Sequence, residues 1–199
     1  RTLARLDFSE GIPPECQTAV VVPTMLAAGG LHDLLEQLEI RFLANRSPNI
    51  LFGLITDFPD AAKEVLAGDD ELIRSAVEGI RRLNARHAEG GDAVFFLLHR
   101  PRLWNPSERV WMAYERKRGK IEQFNRLVRD GETAPFCAIE ADVRLLRKVR
   151  FVVTLDVDTQ LPPGSIAQLV GTIAHPLNRP QLDPATRCVV DGYGILQPR

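Results

Sequence analysis

Four short runs of almost uninterrupted apolar, β-favouring residues decide what this chain can become. They are Ala19–Val22, Ile50–Thr56, Val94–Leu98 and Phe151–Leu155. A strand with one wet face alternates apolar and polar residues. These runs do not, so they read as strands buried on both faces of a parallel sheet. Helical stripes separate them. Leu31, Leu34, Leu35, Leu38 and Phe42 share one helix face, as do Leu72, Ile73, Ala76, Val77, Ile80 and Leu83. Ile121, Phe124 and Val128 mark a third helix, and Ile166, Leu169, Val170 and Ile173 a fourth, announced by Pro162-Pro163-Gly164-Ser165. A fifth run, Cys188–Leu196, predicts a weaker strand broken by Gly192 and Gly194. Strand and helix alternate, which predicts an α/β fold: an open, mostly parallel, doubly wound sheet with right-handed crossovers. Residues 1–18 read as an irregular lead-in and 19–199 as the folded domain, with Pro101–Glu115 as a long insertion after the third strand.

The totals narrow the function classes. A chain of 199 residues buries one real core. Twenty-five basic against 26 acidic residues give a formal charge of −1, without the footprint of a nucleic-acid partner. Cys16, Cys137 and Cys188 are odd in number and far apart, neither a disulfide framework nor a zinc spacing, and read as reduced thiols of a cytoplasmic domain. No apolar run approaches the ~18 residues that a spanning helix needs. The chain opens on Arg1 rather than Met and reads as a piece of something longer.

In such sheets ligands bind beyond the carboxyl ends of the strands. Those ends carry Thr24, then Asp57 and Asp60, then His99-Arg100, then Asp156 and Asp158. An extended segment would turn Asp156 and Asp158 to one side, and two hard oxygen donors suit Mg²⁺ or Mn²⁺. The plain alternative is a solvated turn whose carboxylates cap the helix at Ser165. A phosphatase of the type that begins its chemistry at Asp-x-Asp wants the pair in the first strand and Thr or Val after it. Here it follows the fourth strand, and Gln160 stands in that place. The second informative element is Arg116, Lys117, Arg118 and Lys120 at a helix start. Cations there oppose the helix dipole unless an anion meets them, and Gly119 permits close backbone approach. Asp60 is either a nucleotide contact or a turn residue beside Pro59. Trp104, Trp111 and Tyr114 in the insertion suit sugar or base stacking, a membrane surface, or ordinary packing. His32 and His99 read as structural, and His175 as a helix C-terminal cap.

Taken in order, Val20-Val-Val-Pro-Thr24, Leu54-Ile-Thr-Asp-Phe-Pro-Asp60, Arg118-Gly-Lys120 with Asn125, and Thr154-Leu-Asp-Val-Asp-Thr159 resemble inverting glycosyltransferases of the GT-A fold. Longer strings are similar to the glycosyltransferase domain of cyclic β-1,2-glucan synthases, family 84. They include Leu6-Asp-Phe-Ser-Glu-Gly-Ile-Pro-Pro14, Leu98-His-Arg-Pro-Arg102 and Ala174-His-Pro-Leu-Asn-Arg-Pro180. The resemblance implies UDP-glucose as donor, a β-1,2-glucan acceptor, and a multi-pass parent holding this segment at the cytoplasmic face of a bacterial inner membrane. It implies that Thr24 and Asp57 touch the uridine side, that Arg118 and Lys120 lie near the nucleotide, and that Asp156 and Asp158 hold the metal–diphosphate. Related enzymes carry their catalytic base in a later acidic motif, so the resemblance implies that the base lies beyond Arg199.

Overall fold

The computed structural model describes residues 3–87 and 93–197. The central sheet contains β1 (Thr18–Met25), β2 (Ile50–Asp57), β3 (Phe95–Arg100), β6 (Ala138–Glu140) and β7 (Phe151–Thr154), in the order β6-β3-β2-β1-β7. The pairs β1·β2, β2·β3 and β1·β7 are parallel, whereas β6 runs antiparallel to β3. The expected mostly parallel sheet is thus present, and its four expected strands are neighbours. The edge strand β6 was not foreseen. Its three residues are only partly buried, too short and too mixed to give a periodic signal.

Both faces are covered. Helices α1 (Leu31–Ala44), α2 (Asp69–His87) and α5 (Ser165–Ala174) pack with Val20, Val22, Phe52, Leu54, Phe95 and Leu97. Helices α3 (Arg116–Asp130) and α4 (Val143–Leu146) pack with Ala19, Val21, Leu51, Ile55, Phe96 and Leu98 on the other face. This is why β1 and β2 read as continuous apolar runs: odd and even positions each have a core to enter. Each fully buried Leu, Ile or Phe here contributes about 1.5–3 kcal/mol relative to exposure. Gly53 makes one of these contacts possible. A Cβ there would stand 2.2 Å from the ring of Phe96, which lies parallel to Phe124 of α3 with centroids 5.9 Å apart.

Among the described residues the lead-in lacks regular structure until a short 3-10 turn, Pro14–Cys16. It is nonetheless docked, since Leu6 donates its N–H to the Gly171 carbonyl and Ile12 is 2% exposed. The insertion after β3 forms a hairpin, β4 (Leu103–Asn105) with β5 (Val110–Met112). The fifth expected strand is corrected. Only Val189–Asp191 is extended (β9), and it pairs antiparallel with β8 (Gln181–Leu182), away from the central sheet. Gly192 ends it at a φ of 75°. Pro198 and Arg199 lie outside the described residues. Among the described residues no helix is long and apolar enough to cross a membrane.

Candidate functional site at the carboxyl ends of the strands

From β1 the chain steps through β2 and β3 on one side, then returns to place β7 on the other side of β1. The strand order therefore reverses between β1 and β7, and such a switch point opens a crevice beyond the strand ends. Thr24, half-buried on β1, and the Asp156–Thr159 segment after β7 flank it. Asp57 and Asp156 lie at the same end of the sheet, as a shared site requires.

Beneath the mouth sits a buried charge cluster. In the parallel register Asp57 lies between Met25 and Arg100. Its Oδ2 accepts from Arg100 at 2.8 Å and its Oδ1 from Lys120 at 2.5 Å, all three side chains being 3–4% exposed. Burial pulls the Lys120 ammonium below lysine's ordinary range, and the Asp57 carboxylate works against that. Arg100 also donates to Gln123 Oε1 and to the carbonyls of Tyr114 and Arg116. The cluster thereby fastens the start of α3 to the ends of β2 and β3.

That start is strained. Glu115 and Arg116 have φ of 52° and 43°, a left-handed region that costs non-glycine residues about 1–3 kcal/mol each. Gly119 is required here, because a Cβ would stand 2.2 Å from the Tyr114 carbonyl oxygen. No acidic residue occupies the first turn of α3. Acidic groups reach it from the strand ends instead: Asp60 meets Arg116 at 2.8 Å, Asp156 meets Lys117, and Asp57 meets Lys120. The unfavourable placement of these cations against the helix dipole is thus answered by carboxylates of the same chain.

The structure sorts the expected site residues. Thr24, Asp60, Asp156 and Asp158 lie at the mouth with solvent access, whereas Asp57 and Lys120 lie underneath it. Arg118 turns outward, its side chain 79% exposed and 3.4 Å from Glu115. With Lys117, Ile121, Glu122 and Asn125 it lines an open concavity of about 710 Å³ along α3. A more enclosed cavity of about 510 Å³, between Phe8, Arg46 and Gln168, lies near Ile50, where β2 begins, away from these carboxylates.

The extended geometry expected for Asp156 and Asp158 is corrected. Strand β7 ends at Thr154, and the Thr159 N–H returns to the Asp156 carbonyl at 3.1 Å, closing a turn. Arg41 sets its shape. The residue is 3% exposed, and its guanidinium donates to the carbonyls of Asp156, Val157 and Thr159. Burial draws Arg41 below its ordinary range, and Asp158 opposes that shift. Arg41 was legible in principle, being seven residues after Leu34 on the apolar stripe of α1, where an arginine needs buried acceptors. With its carbonyls held, the turn offers two exposed carboxylates. Among the described residues no group of three or more His, Cys, Asp and Glu comes together. The donor set suits a hard divalent cation that takes its remaining oxygens from water and phosphate.

His99 is structural, as expected. Thr56 Oγ1 is 2.8 Å from its Nδ1, and Phe58 stands edge-on with centroids 4.3 Å apart. Burial lowers its pKa to about 4 from 6.5. The unfolded chain then binds the proton first as pH falls. The stabilisation is fully present above pH 6.5 and is lost between 6.5 and 4. Denaturant unfolding should show His99 contributing a loss of on the order of 3 kcal/mol across that interval, and His99→Gln should remove this part of the slope. Equal slopes in both proteins would contradict the assignment. His175 ends α5, and its Nδ1 accepts the Leu177 N–H at 3.2 Å.

No family profile matches the chain. A curated protein does. The chain is 40% identical, over 198 residues, to the cyclic beta-(1,2)-glucan synthase NdvB of Rhizobium meliloti (strain 1021). The matched stretch is 99% of this chain and 7% of that protein. The aligned region therefore includes the whole candidate mouth.

Proposed function

We propose that this chain is the nucleotide-sugar-binding part of a glycosyltransferase that uses UDP-glucose to build β-1,2-glucan by inverting transfer. The observation that carries the reading is the switch-point crevice, with Thr24 on one side, the Asp156–Asp158 turn on the other, and the basic start of α3 alongside. The identity to a glucan synthase supports the sugar chemistry. In this reading the rest of a longer polypeptide supplies the catalytic base and the membrane helices, and the domain faces the cytoplasm.

Each group then has a physical task. Asp156 and Asp158 would hold Mg²⁺ or Mn²⁺, which when bound neutralises charge on the departing diphosphate. Arg41 fixes the turn in advance, so little ordering remains when ligand arrives. Lys117 and Arg116, which pair with Asp156 and Asp60, would meet the diphosphate. Thr24 and Asp60 face the nucleoside side. Asp57, with both oxygens held, anchors Lys120 and the start of α3 beneath the nucleotide. Arg118 serves from the rim. Calorimetric titration tests this: UDP-glucose should bind with Mn²⁺ present and at least about tenfold more weakly with chelator. Binding that ignores the metal would contradict the donor-site reading.

A further inference from the structure

Two of the three carboxylates at the mouth are already taken. Lys117 pairs with Asp156, and Arg116 pairs with Asp60 at 2.8 Å. Asp156 is a proposed metal ligand and Lys117 a proposed diphosphate contact. The two halves of the donor site are therefore paired with each other. Neighbouring charges do not compete for these partners. Arg118 turns outward to Glu115, and Glu122 pairs with Arg126 along α3. Arg100 and Lys120 are buried on Asp57. Asp158 has no salt-bridge partner among the described residues, and its charge acts on Arg41, whose guanidinium holds the turn carbonyls.

The Lys117–Asp156 pair is easily opened. Its side chains are 50% and 63% exposed, and a surface pair of this kind is held weakly. Exposed side chains change rotamer in picoseconds to nanoseconds, so nothing in the packing locks the lysine to its partner. The helix end sets a preference as well. Lys117 and Arg116 oppose the dipole of α3, and an anion that joins them at the helix start suits both the cations and the free N–H groups of the first turn.

We propose that Lys117 is a clasp on the metal site, opened by exchange when metal and nucleotide arrive together; this deepens the donor-site reading above and rests on it. Lys117 leaves Asp156 for a diphosphate oxygen, and Asp156 is freed for the metal. Charge makes the exchange cooperative. With a divalent cation alone, Lys117 is displaced and its ammonium stands unpaired beside a doubly charged ion. With a diphosphate alone, Lys117 and Arg116 must give up their carboxylates, and Asp156 and Asp158 face the phosphates. With both, every charge has an opposite partner. Lys117 thus weakens binding of the bare metal and strengthens binding of the metal with nucleotide. By linkage UDP tightens Mn²⁺ by the same factor as Mn²⁺ tightens UDP.

Mn²⁺ binding, with and without saturating UDP, is read from the paramagnetic resonance signal of the free ion in wild type, Lys117→Met and Lys117→Arg. Lys117→Met should bind Mn²⁺ alone about three- to fivefold more tightly than wild type, and Mn²⁺ with UDP more weakly by about the same factor. Lys117→Arg should keep the wild-type pattern. Melting temperatures should match wild type, because Lys117 is half-exposed and its loss removes a cation that opposes the helix dipole. Unchanged or weaker binding of Mn²⁺ alone in Lys117→Met would overturn the proposal, as would undiminished binding of Mn²⁺ with UDP. Wild type separates the two possible failures. If its UDP binding ignores Mn²⁺, the donor-site reading falls and the clasp with it. If its UDP binding needs Mn²⁺ but Lys117→Met behaves as wild type, the clasp alone falls.

Discussion

Replacing Asp57 with alanine lowers the unfolding free energy by about 3–5 kcal/mol, roughly 10 °C in melting temperature for a domain of this size. The buried cluster counts two cations, Arg100 and Lys120, against one carboxylate. Without Asp57 two positive charges remain out of water. Arg100 keeps Gln123 Oε1 and two carbonyls, but Lys120 loses the carboxylate that held it. Lys120→Met has the opposite effect on the count. It leaves the matched pair Asp57–Arg100, and a thioether of similar volume fills the space. That variant should lie within about 1–2 kcal/mol of wild type. Asp57→Ala should also regain stability as pH rises, because a neutral lysine is cheaper to bury than a charged one. Denaturant titration of both variants tests the cluster. Equal losses, or a larger loss in Lys120→Met, would show that the charge count is not what governs it.

On the proposed donor-site reading, Asp158→Ala should abolish glucan synthesis by a protein that contains this domain, and Asp156→Ala should reduce it by about 10²-fold or more. The leaving diphosphate gains negative charge as the glycosidic bond breaks, and that charge must be met in place. On that reading, losing one carboxylate would lower metal affinity and misplace the ion. The fold should tolerate both changes. Asp156 and Lys117 are 63% and 50% exposed, and such a surface pair contributes only about 0–1 kcal/mol. A radiolabelled-glucose incorporation assay, run beside melting curves, separates the two effects. Full activity in both variants would remove the pair from the chemistry.

The alternation of apolar runs and helical stripes was enough to place four strands, four helices and the carboxylates at one end of the sheet. Reading on both faces at once, as Val20 and Val21 do, leaves little choice of architecture. Local geometry was less accessible. The run Phe-Val-Val-Thr-Leu ahead of Asp156 suggested a strand continuing through the pair. The paired strand stops at Thr154, because the Asp156–Thr159 turn is held by Arg41, 115 residues away in sequence from Asp156. Long-range donors of this kind leave no periodicity. The basic start of α3 was legible as an anomaly, but the carboxylates that answer it come from two separate strand ends, those of β2 and β7. Arg118 and Lys120 looked equivalent in sequence. The helix period separates them, sending Lys120 under the sheet mouth and Arg118 to the outside. Residues Val189–Asp191 looked like a sheet strand because only local β preference was visible. Their partner, Gln181–Leu182, makes a separate two-stranded ribbon.

On the proposed reading the Asp156–Thr159 turn holds a metal–diphosphate at the switch point. The most direct measurement is the melting temperature of wild type, Asp156→Ala and Asp158→Ala, each with and without Mn²⁺ plus UDP. Saturating ligand at about 100 times its dissociation constant stabilises wild type by about 2.7 kcal/mol, a rise of several degrees. Both variants should melt near wild type alone and gain nothing from the ligand. If both keep the full ligand-induced rise, the turn is structural and the nucleotide sits elsewhere.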